Sequence, residues 1–353
     1  MKHFITGVAG FVGSNLARKL IENGDEVWGI DNLACGFKNN LEDIIDNKKF
    51  NFSQIDILDD LLVNWPVGLK RSKFQGFIPS WGPEVDYVWH LAARGETYWC
   101  RDNVKSAVSI NVEGTLNMLK MAQRCKCKHF FFADTSAEYD SFEDEQYYPS
   151  AEWMAPNTIT PMGYYAITKM AASQFVRSFG LSNGIGTTLF RYTNIYGPSM
   201  NLNRDIPPVV GSFTNRIFNG EDCIIYGDGS KRRDFLHIED LNDFHIAALE
   251  HRQDKKDSQT FNAGSGENHS IHGVWKTVYH ICKEYFPTAS YKIHYLADQP
   301  NEAQITLANI DKAKEHLNWE PKISFAEGVK KTVQSLWEMR NDSKSNATNE
   351  KKN

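Results

Sequence analysis

The chain has 353 residues, of which 41% are hydrophobic and 24% are charged, a composition that is ordinary for a globular protein. Its formal net charge of -5 disfavours a general nucleic-acid-binding protein, because no strongly basic face is implied. The longest apolar runs, such as HFFFA, are far shorter than the roughly 18 residues that a membrane span requires, so we expect no membrane partner.

The first predicted elements are a strand at KHFIT and a helix that begins near Phe11. Apolar Leu16, Leu20 and Ile21 recur in this helix at helical spacing, and Gly24 is placed to end it. Because the strand begins at residue 2 or 3, we expect no cleavable signal peptide. The stretch EVWGID then predicts the second strand.

Three glycines lie between the first strand and the first helix. In GVAGFVGSNL, Gly7, Gly10 and Gly13 stand where small residues let backbone N–H groups and the helix N-terminus approach a pyrophosphate. Asp31 ends the second strand, 18 residues past Gly13, where a carboxylate would bind ribose hydroxyls and repel a 2′-phosphate. The pattern predicts a dinucleotide site that prefers NAD to NADP. A structural turn beside a surface aspartate is the plainer alternative.

Strands and helices continue to alternate through the first half of the chain. Asp56 and Ile57, at the end of NFSQIDI, are expected to flank the adenine ring. VDYVWHLAA and HFFFADTS predict buried strands, with a helix from about Val104 to Arg124 between them. The alternation predicts an α/β fold: a Rossmann-type doubly wound parallel sheet with a smaller mixed α/β substrate-binding lobe.

The cysteines give no sign of a disulfide framework or a metal site. The chain has 6 cysteines without disulfide-framework spacing, which favours the cytosol. Cys125, Cys127 and His129 alternate in CKCKH, but no second Cys/His pair lies nearby and structural zinc takes four ligands. We therefore expect no metal.

The stretch YYAITK places Tyr165 and Lys169 four residues apart, on one face of a predicted helix. A tyrosine of ordinary pKa, about 10, is a poor base at neutral pH. A lysine one turn away and a cationic nicotinamide ring would both stabilise its phenolate. Thr135 ends a predicted strand and offers a hydroxyl to the substrate oxygen. The three residues predict catalysis at a hydroxyl group, although a Tyr-x-x-x-Lys spacing alone also occurs by chance.

The chain is predicted to divide into three parts. Residues 1–185 are assigned to an NAD-binding domain that carries the catalytic pair. Residues 186–340 are assigned mainly to the substrate-binding lobe, with some strands or helices returning to the first domain. Residues 341–353 lack apolar side chains and are expected to be a disordered tail. Residues 60–84, rich in Gly, Pro and Trp, are expected to form an extended loop.

From residue 2 to about 338 the sequence resembles the extended short-chain dehydrogenase/reductase family. It is similar specifically to the NAD-dependent nucleotide-sugar epimerases and dehydratases, UDP-sugar 4-epimerases among them. The resemblance rests on TGVAGFVGSNL, DNL, HLAA, NVEGTLNML, YYAITK, RYTNIYGP, GDGSKRRDFLHIEDL, FNAGSGENHSI and LNWEPKISFAEGVKKTV. It implies NAD as cofactor, a nucleoside diphosphate sugar as substrate, and a homodimer through the helices around 103–124 and 164–180.

The resemblance and the residue patterns together give a set of candidate site residues. Asn194 and Arg233 should bind the substrate diphosphate, for which an arginine fork is suited. The catalytic residues are Thr135, Tyr165 and Lys169; the cofactor-binding residues are Gly7, Gly10, Phe11, Val12, Gly13, Asp31, Asn32, Asp56, Ile57, Leu91, Ala92, Ala93, Tyr165 and Lys169; the substrate-binding residues are Glu96, Asn194 and Arg233.

One departure from the family pattern bears on the reaction. In the 4,6-dehydratases of this family the catalytic Thr is followed by Asp-Glu or Ser-Glu, whereas here Ala137 stands in the glutamate position and Glu138 comes one residue later. In an extended chain Glu138 would face the other way. This disfavours a standard dehydratase, and only a one-residue bulge would return Glu138 to the site.

Further departures lie near the sugar and the diphosphate. After HLAA the chain reads RGETYWC, with Arg94, Glu96 and Cys100 where the family usually has milder polar residues and a serine. Glu96 is either an extra acid/base at the sugar or a solvated loop carboxylate. In DQPNEAQIT, Gln299 takes the place of an arginine of the family, so one diphosphate contact is weakened.

These observations predict an NAD-dependent 4-epimerase that works through a transient 4-keto sugar, with Tyr165 as proton acceptor. A 4,6-dehydratase or a decarboxylase of the same family shares the same oxidation and is the alternative. From another class, a dinucleotide-binding sensor without catalysis would keep the glycines, but it would have no need of Tyr165 and Lys169.

Overall fold

The computed structural model describes residues 1–59, 85–139, 148–154, 163–200, 202, 207–252, 257–287, 292–299 and 302–350, with only the backbone of 342–350. The strands are β1 Lys2–Thr6, β2 Glu26–Asp31, β3 Phe50–Gln54, β4 Tyr87–His90, β5 His129–Thr135, β6 Gly186–Tyr192, β7 Asn194–Tyr196, β8 Cys223–Tyr226, β9 Arg232–His237, β10 Ser258–Ala263, β11 Asn268–Ser270 and β12 Ile293–Leu296.

In the first half of the chain helices follow β1, β4 and β5. The helices are α1 Phe11–Glu22, α2 Thr97–Asp102, α3 Val104–Val108, α4 Gly114–Arg124, α5 Tyr164–Asn183, α6 Val209–Asn219, α7 Ile238–Glu250, α8 Ile271–Cys282, α9 Asp311–Leu317 and α10 Phe325–Glu350. Short 3₁₀ turns lie at Lys38–Leu41 and Ser136–Tyr139. The predicted helix from Val104 to Arg124 is confirmed as α3 and α4, joined by a π turn at Ser109–Glu113.

A parallel sheet of seven strands forms the centre of the fold, in the order β10-β6-β5-β4-β1-β2-β3. The chain winds outward from β1 in one direction through β2 and β3 and in the other through β4, β5 and β6. The predicted Rossmann-type sheet is therefore confirmed. Its strand order reverses between β1 and β4, and in such sheets the ligand crevice opens at that point, beyond the carboxyl ends of the strands.

The two faces of the sheet bury different helices because side chains alternate along each strand. Phe130 and Phe132 of β5 pack with side chains of α4 and α5. Phe131, between them, packs on the opposite face in the cluster that contains residues of α1, α7 and α9. Burial on both faces explains why the sequence of β5 is a continuous apolar run rather than an alternating one.

The second half of the chain contributes to both lobes. Strands β6 and β10 belong to the seven-stranded sheet, so the chain after residue 185 returns to the first domain, as the prediction allowed. The smaller lobe contains the sheets β11-β9-β7 and β12-β8. Its core is formed largely by apolar side chains of α6, α8 and α10 packed against one another. The division at residue 185 stays a prediction.

The C-terminal segment differs from the expectation of disorder. Helix α10 continues through Glu350, so the backbone of 341–350 is helical. Adding residues to an established helix needs no new nucleation, which is why a segment without apolar side chains can extend the packed part of α10. The predictions for 351–353 and for the loop at 60–84 fall outside the described residues.

Candidate active site

The glycine turn after β1 is shaped by close backbone contacts. Gly7 has a φ of +70°, and a Cβ on it would lie 2.9 Å from the backbone of Ala92, which follows β4. A Cβ on Gly13 would collide with the carbonyl oxygen of Gly7. Helix α1 starts at once after Gly10, with no side chain bonded to its first N–H groups. These N–H groups remain available to an anion at the crevice.

Asp31 lies at the end of β2, where its carboxylate is held by the backbone. Its Oδ2 accepts a 3.0 Å hydrogen bond from the Ala9 N–H, and its Oδ1 accepts one of 2.8 Å from the Leu33 N–H. Burial raises the pKa of Asp31, and these N–H groups oppose that shift. The carboxylate is thus fixed beside the glycine turn, as a ribose-binding residue requires.

The other predicted cofactor residues lie at the carboxyl ends of the neighbouring strands. Asn32 donates a 2.7 Å hydrogen bond to Asp56, which ties the loops after β2 and β3 together. The side chain of Ile57 packs on Gly114, where a Cβ would approach it to 2.5 Å. Phe11 and Val12 form the first turn of α1, and Leu91, Ala92 and Ala93 follow β4.

A buried histidine joins β1, β4 and α4 behind the crevice. Nδ1 of His90 is 2.7 Å from the Thr6 hydroxyl, and its Nε2 is 3.0 Å from the Thr115 hydroxyl. Thr115 donates its own proton to the Asn111 carbonyl, so Nε2 must carry the hydrogen of the ring. Burial lowers the pKa of His90 to about 3. The imidazole is therefore neutral and serves to align the loop that begins at Leu91.

Tyr165 and Thr135, two of the predicted catalytic residues, lie next to each other. Tyr165 lies in the first turn of α5, and its hydroxyl forms a hydrogen bond with the side chain of Thr135 at the end of β5. Thr135 also accepts a 3.1 Å hydrogen bond from the Ala137 N–H. Burial raises the pKa of Tyr165, and the Thr135 hydrogen bond opposes this shift. A phenolate at this position needs positive charge nearby.

Lys169 lies one turn further along α5 and is almost wholly buried, with 2% of its surface exposed. Its Nζ is 4.2 Å from the centre of the Phe132 ring. Burial lowers the pKa of Lys169 to about 8, while the carboxyls of Asp134 and Glu138 oppose the shift. Lys169 therefore retains a large ammonium fraction at neutral pH, next to the turn that carries Tyr165.

Glu138 does not enter the site. Residues Ser136–Tyr139 form a 3₁₀ turn, which is neither the extended chain nor the one-residue bulge considered from the sequence. The outcome for Glu138 is nonetheless the one expected: its side chain is fully buried, with Oε2 3.1 Å from Nη2 of Arg191. The hydrogen bond from Arg191 holds this carboxyl away from solvent, and Ala137 occupies the position where the family dehydratases have a glutamate.

The loop after β4 passes directly beside Tyr165. A Cβ on Gly95 would lie 3.9 Å from the Tyr165 hydroxyl, so the residues on either side of Gly95 flank the reacting position. Arg94 and Glu96 form an ion pair, with Nε 3.4 Å from Oε2. Cys100 donates to the Arg94 carbonyl over 3.4 Å. The predicted Glu96 is thus near the site, but it is already paired with a cation.

The predicted diphosphate residues lie together on the smaller lobe. Asn194 donates a 3.0 Å hydrogen bond to the carbonyl of Asp234, the residue after Arg233. Arg233 donates to the Arg232 carbonyl over 3.0 Å, and its Nη2 is 3.7 Å from Oε2 of Glu302. The guanidinium is only 15% exposed and is oriented by these contacts. Gln299, in the family's arginine position, brings no charge.

Several residues that position the site were not singled out from the sequence. Asn111 exchanges hydrogen bonds with the backbone of Arg94 and donates to the Thr168 hydroxyl, so it ties the loop after β4 to α5. Glu302 accepts hydrogen bonds from Tyr98 and Lys231 beside Arg233. Asn111 lies within a quoted family motif, whereas nothing in the local sequence indicates that Tyr98 and Glu302 meet.

A family model described as "NAD dependent epimerase/dehydratase family" matches residues 3–264. The chain belongs to this family. UDP-glucuronic acid decarboxylase 1 of Arabidopsis thaliana is 31% identical over 331 residues, which cover 93% of this chain and 68% of the relative. This relative is named as a decarboxylase, whereas two similar solved structures are of UDP-glucose 4-epimerases, so proteins that resemble this chain differ in the reaction named for them.

Two solved structures of the family have the same fold. The UDP-glucose 4-epimerase of Thermotoga maritima, solved with UDP-glucose, has a TM-score of 0.82 and 28% identity and covers 96% of this chain and 99% of its own. The UDP-glucose 4-epimerase of Thermus thermophilus, solved with NAD, has a TM-score of 0.79 and 25% identity and covers 95% and 98%.

NAD is the cofactor of this family, and the residues of this chain fit it. Gly7 packs so closely on Ala92 that any side chain there would clash with its backbone, and the first N–H groups of α1 beside this turn carry no side-chain cap, as a pyrophosphate site needs. Asp31 ends β2, 18 residues past Gly13, and the backbone holds its carboxylate in place for a contact with the ribose. The protein is an NAD-dependent enzyme of the epimerase/dehydratase class. Among the described helices none combines the length and apolar character of a membrane span.

Proposed function

We propose that this enzyme is a nucleoside diphosphate sugar 4-epimerase that works through a transient 4-keto sugar. One observation carries the proposal: Ala137 replaces the glutamate of the dehydratases, and Glu138 is buried against Arg191 at 3.1 Å. Elimination of water across C5 and C6 needs an acid and a base there. Oxidation and reduction at C4 alone needs only the Tyr165 and Thr135 hydroxyls, which are hydrogen-bonded to each other.

The chain's own residues then act on the C4 hydroxyl. NAD, when bound, supplies reversible two-electron oxidation at C4. Tyr165 accepts the proton of the C4 hydroxyl, Thr135 hydrogen-bonds the same oxygen, and the Lys169 ammonium favours the phenolate form of Tyr165. If the keto sugar turns its opposite face before it is reduced, Tyr165 returns the proton to a hydroxyl of inverted configuration.

Arg233 and Asn194 are proposed to bind the diphosphate. A guanidinium matches the geometry of phosphate oxygens with two parallel hydrogen bonds, and the amide of Asn194 adds a further donor. Glu96 is proposed to contact the sugar, because Gly95 beside it borders the Tyr165 hydroxyl. Its partner Arg94 then offers a cation at the same edge of the sugar site.

Decarboxylation is a second candidate, favoured by the 31% identity to UDP-glucuronic acid decarboxylase 1. A C6 carboxylate beside a 4-keto group forms a β-keto acid, which releases carbon dioxide without a further acid/base residue. Ala137 therefore does not weigh against this reaction. Mass spectrometry of the products from a panel of nucleotide sugars, with and without a C6 carboxylate, separates the candidates. A new isomer of unchanged mass supports the epimerase, whereas loss of water or of carbon dioxide contradicts it.

We also infer a homodimer through α5. Tyr164, Ile167 and Phe175 recur on one face of this helix and are 48%, 47% and 46% exposed, which is unusual for large apolar side chains of a monomer. Light scattering of the wild type and of Ile167→Asp tests this. A monomeric wild type at micromolar concentration would refute the inference.

A further inference from the structure

A buried cluster of charged groups lies next to Lys169, and the mechanism above does not use it. Phe132 and Asp134 are two residues apart on β5 and so share one face of the strand. Phe132 packs with Ala172 and Val176 of α5, and its ring lies 4.2 Å from Nζ of Lys169. Asp134 is therefore directed toward the helix that carries Lys169.

The cluster contains two carboxyls and three cations. Asp134 lies opposite Arg191 in the register of β5 and β6, with Oδ2 3.8 Å from Nε of Arg191. Arg191 also pairs with Glu138, and the side chains of all three residues are 0% exposed. On α5, Lys169 and Arg177 are two turns apart and face the same carboxyls. Charges buried this deeply are stable only when they are compensated.

One of the two carboxyls must hold a proton more firmly than the other. Burial raises the pKa of both Asp134 and Glu138. At Asp134 the charges of Arg191 and Lys169 oppose the rise in pKa. At Glu138 the largest charge effect comes from Asp134, which raises the pKa further, and the charge of Arg191 opposes it to a smaller extent. The geometry lets Glu138 hold the shared proton, since its Oε2 accepts a hydrogen bond from Arg191 while its Oε1 is left to donate. Asp134, which lies opposite Arg191 in the sheet, is then the ionised member of the pair.

We propose that Asp134 is a positioning residue for catalysis: its buried carboxylate, paired with Arg191 on the strand face that meets α5, is the counter-charge that keeps Lys169 as an ammonium beside Tyr165. The proposal rests on the proposed roles of Tyr165 and Lys169. Glu138 supports it as a protonated acid that hydrogen-bonds Asp134, rather than as a second anion.

The other titratable groups that face Lys169 and Tyr165 do not supply this charge. His90 on β4 is neutral, since burial lowers its pKa to about 3. Burial raises the pKa of Cys100 on α2 to about 11 and also raises that of Tyr139 in the 3₁₀ turn, so both are neutral. Arg177 and Arg191 are cations, and Glu96, on the loop beside Tyr165, is paired with Arg94. Among the described groups, Asp134 is thus the anion of the cluster at neutral pH.

The test is the pH profile of kcat at saturating substrate for the wild type and Asp134→Asn. A bell is expected from Tyr165, which must lose its proton, and Lys169, which must keep its own. Because the Asp134 charge raises the pKa of both groups, its removal should move the whole bell to lower pH by about one unit, which is about a tenfold loss of kcat on the alkaline limb. A substitution that only disturbs the structure would lower kcat at every pH without shifting the pH profile, and that result would overturn the proposal.

Asp25→Asn is the matched control. Asp25 is also buried and ion-paired, with the amino terminus at 2.6 Å, but it precedes β2 at the far end of the sheet. Its replacement should leave the position of the bell unchanged. The proposed function is checked separately: if Tyr165→Phe abolishes turnover while Asp134→Asn leaves the bell in place, only the inference on Asp134 fails.

A second measurement does not require Asp134→Asn to fold. The pKa of Lys169 can be followed by NMR of protein with ¹³C-labelled lysine, with the resonance assigned by Lys169→Arg. Glutamine keeps the hydrogen-bond donor of a protonated acid, so Glu138→Gln should leave the Lys169 pKa as in the wild type. A fall in that pKa would show that Glu138 carries the counter-charge, and the assignment to Asp134 would be wrong.

Discussion

The hydroxyl of Tyr98 donates a 2.5 Å hydrogen bond to Oε1 of Glu302, which stands 204 residues later in the chain. Oε2 of the same carboxylate lies 3.0 Å from Nζ of Lys231 and 3.7 Å from Nη2 of Arg233. Tyr98 belongs to α2, which follows the loop beside Tyr165. Glu302 therefore links the sugar end of the cleft to the guanidinium proposed to bind the diphosphate.

Tyr98→Phe should weaken substrate binding more than it slows turnover. The change removes the hydrogen bond to Glu302 but keeps the ring, and a hydrogen bond to a charged group is worth about 1.5–3 kcal/mol. We expect KM for the nucleotide sugar to rise about tenfold, with kcat changed far less and NAD affinity unchanged. Steady-state kinetics with the exposed Tyr295→Phe as control measures this. Equal losses in kcat and in NAD affinity would show that Tyr98 serves the fold rather than the substrate.

Gln299→Arg should tighten the binding of the nucleotide. Near Arg233 the described cations Lys231 and Arg233 are balanced by Asp298 and Glu302, so little net positive charge is left for a diphosphate. An added guanidinium should lower the Kd for a nucleoside diphosphate severalfold, and the gain should shrink as salt is raised. Titration calorimetry at two salt concentrations, with Gln299→Leu as control, checks this. An unchanged Kd would mean that position 299 lies outside the diphosphate site.

The fold was predictable from sequence because its signals are local. Each of the signals used lies within one strand or in the residues next to it. These signals are the glycine turn, Asp31 and the continuous apolar run of β5. Contacts between distant segments were not predictable in this way: Tyr98 and Glu302 meet only because both lobes border one cleft. The 3₁₀ turn that carries Glu138 was missed for a related reason, since its geometry depends on the buried contact with Arg191.

Asp31→Asn should reduce the preference for NAD over NADP. The asparagine can still accept one backbone hydrogen bond, so the loop after β2 is kept, but the negative charge that disfavours a 2′-phosphate is gone. We expect the ratio of NAD affinity to NADP affinity to fall about tenfold, as for the loss of one charged hydrogen bond. Fluorescence titration with both dinucleotides measures it, with the exposed Asp43→Asn as control. A wild type that binds both equally would refute the role of Asp31.

His90 should make the protein less stable as pH falls. Burial lowers the pKa of His90 from 6.5 to about 3, so between these values the unfolded chain binds a proton that the folded protein does not. The stabilisation is complete above about pH 6.5 and is lost toward pH 3, by up to about 1.4 kcal/mol per pH unit for one such group.

Urea unfolding of His90→Gln between pH 7 and pH 4.5 tests this. The variant should be less stable at pH 7, but its free energy of unfolding should fall less steeply with decreasing pH than that of the wild type. Replacement of the exposed His251 by Gln should leave the slope unchanged. Parallel pH curves for the wild type and His90→Gln would contradict the neutral state assigned to His90.

The three proposed catalytic residues should differ in how much their loss matters. Lys169→Ala should reduce turnover severely and weaken NAD binding, because Lys169 is predicted to bind the cofactor as well as to favour the phenolate. Thr135→Val should reduce turnover less, since water can replace one neutral hydrogen bond to the substrate oxygen. Single-turnover kinetics and NAD titration of each variant establish the order. A Thr135 variant more damaged than the Lys169 variant would contradict it.

Replacement of Tyr165 by phenylalanine tests the central claim most directly. The change removes one oxygen, so the melting temperature and NAD affinity should remain close to those of the wild type. Without a proton acceptor at the C4 hydroxyl, turnover of every nucleotide sugar that the wild type converts should fall by about 10² to 10⁴. Conversion of any of them by Tyr165→Phe at the wild-type rate would contradict the mechanism and favour a protein that binds the dinucleotide without using it for catalysis.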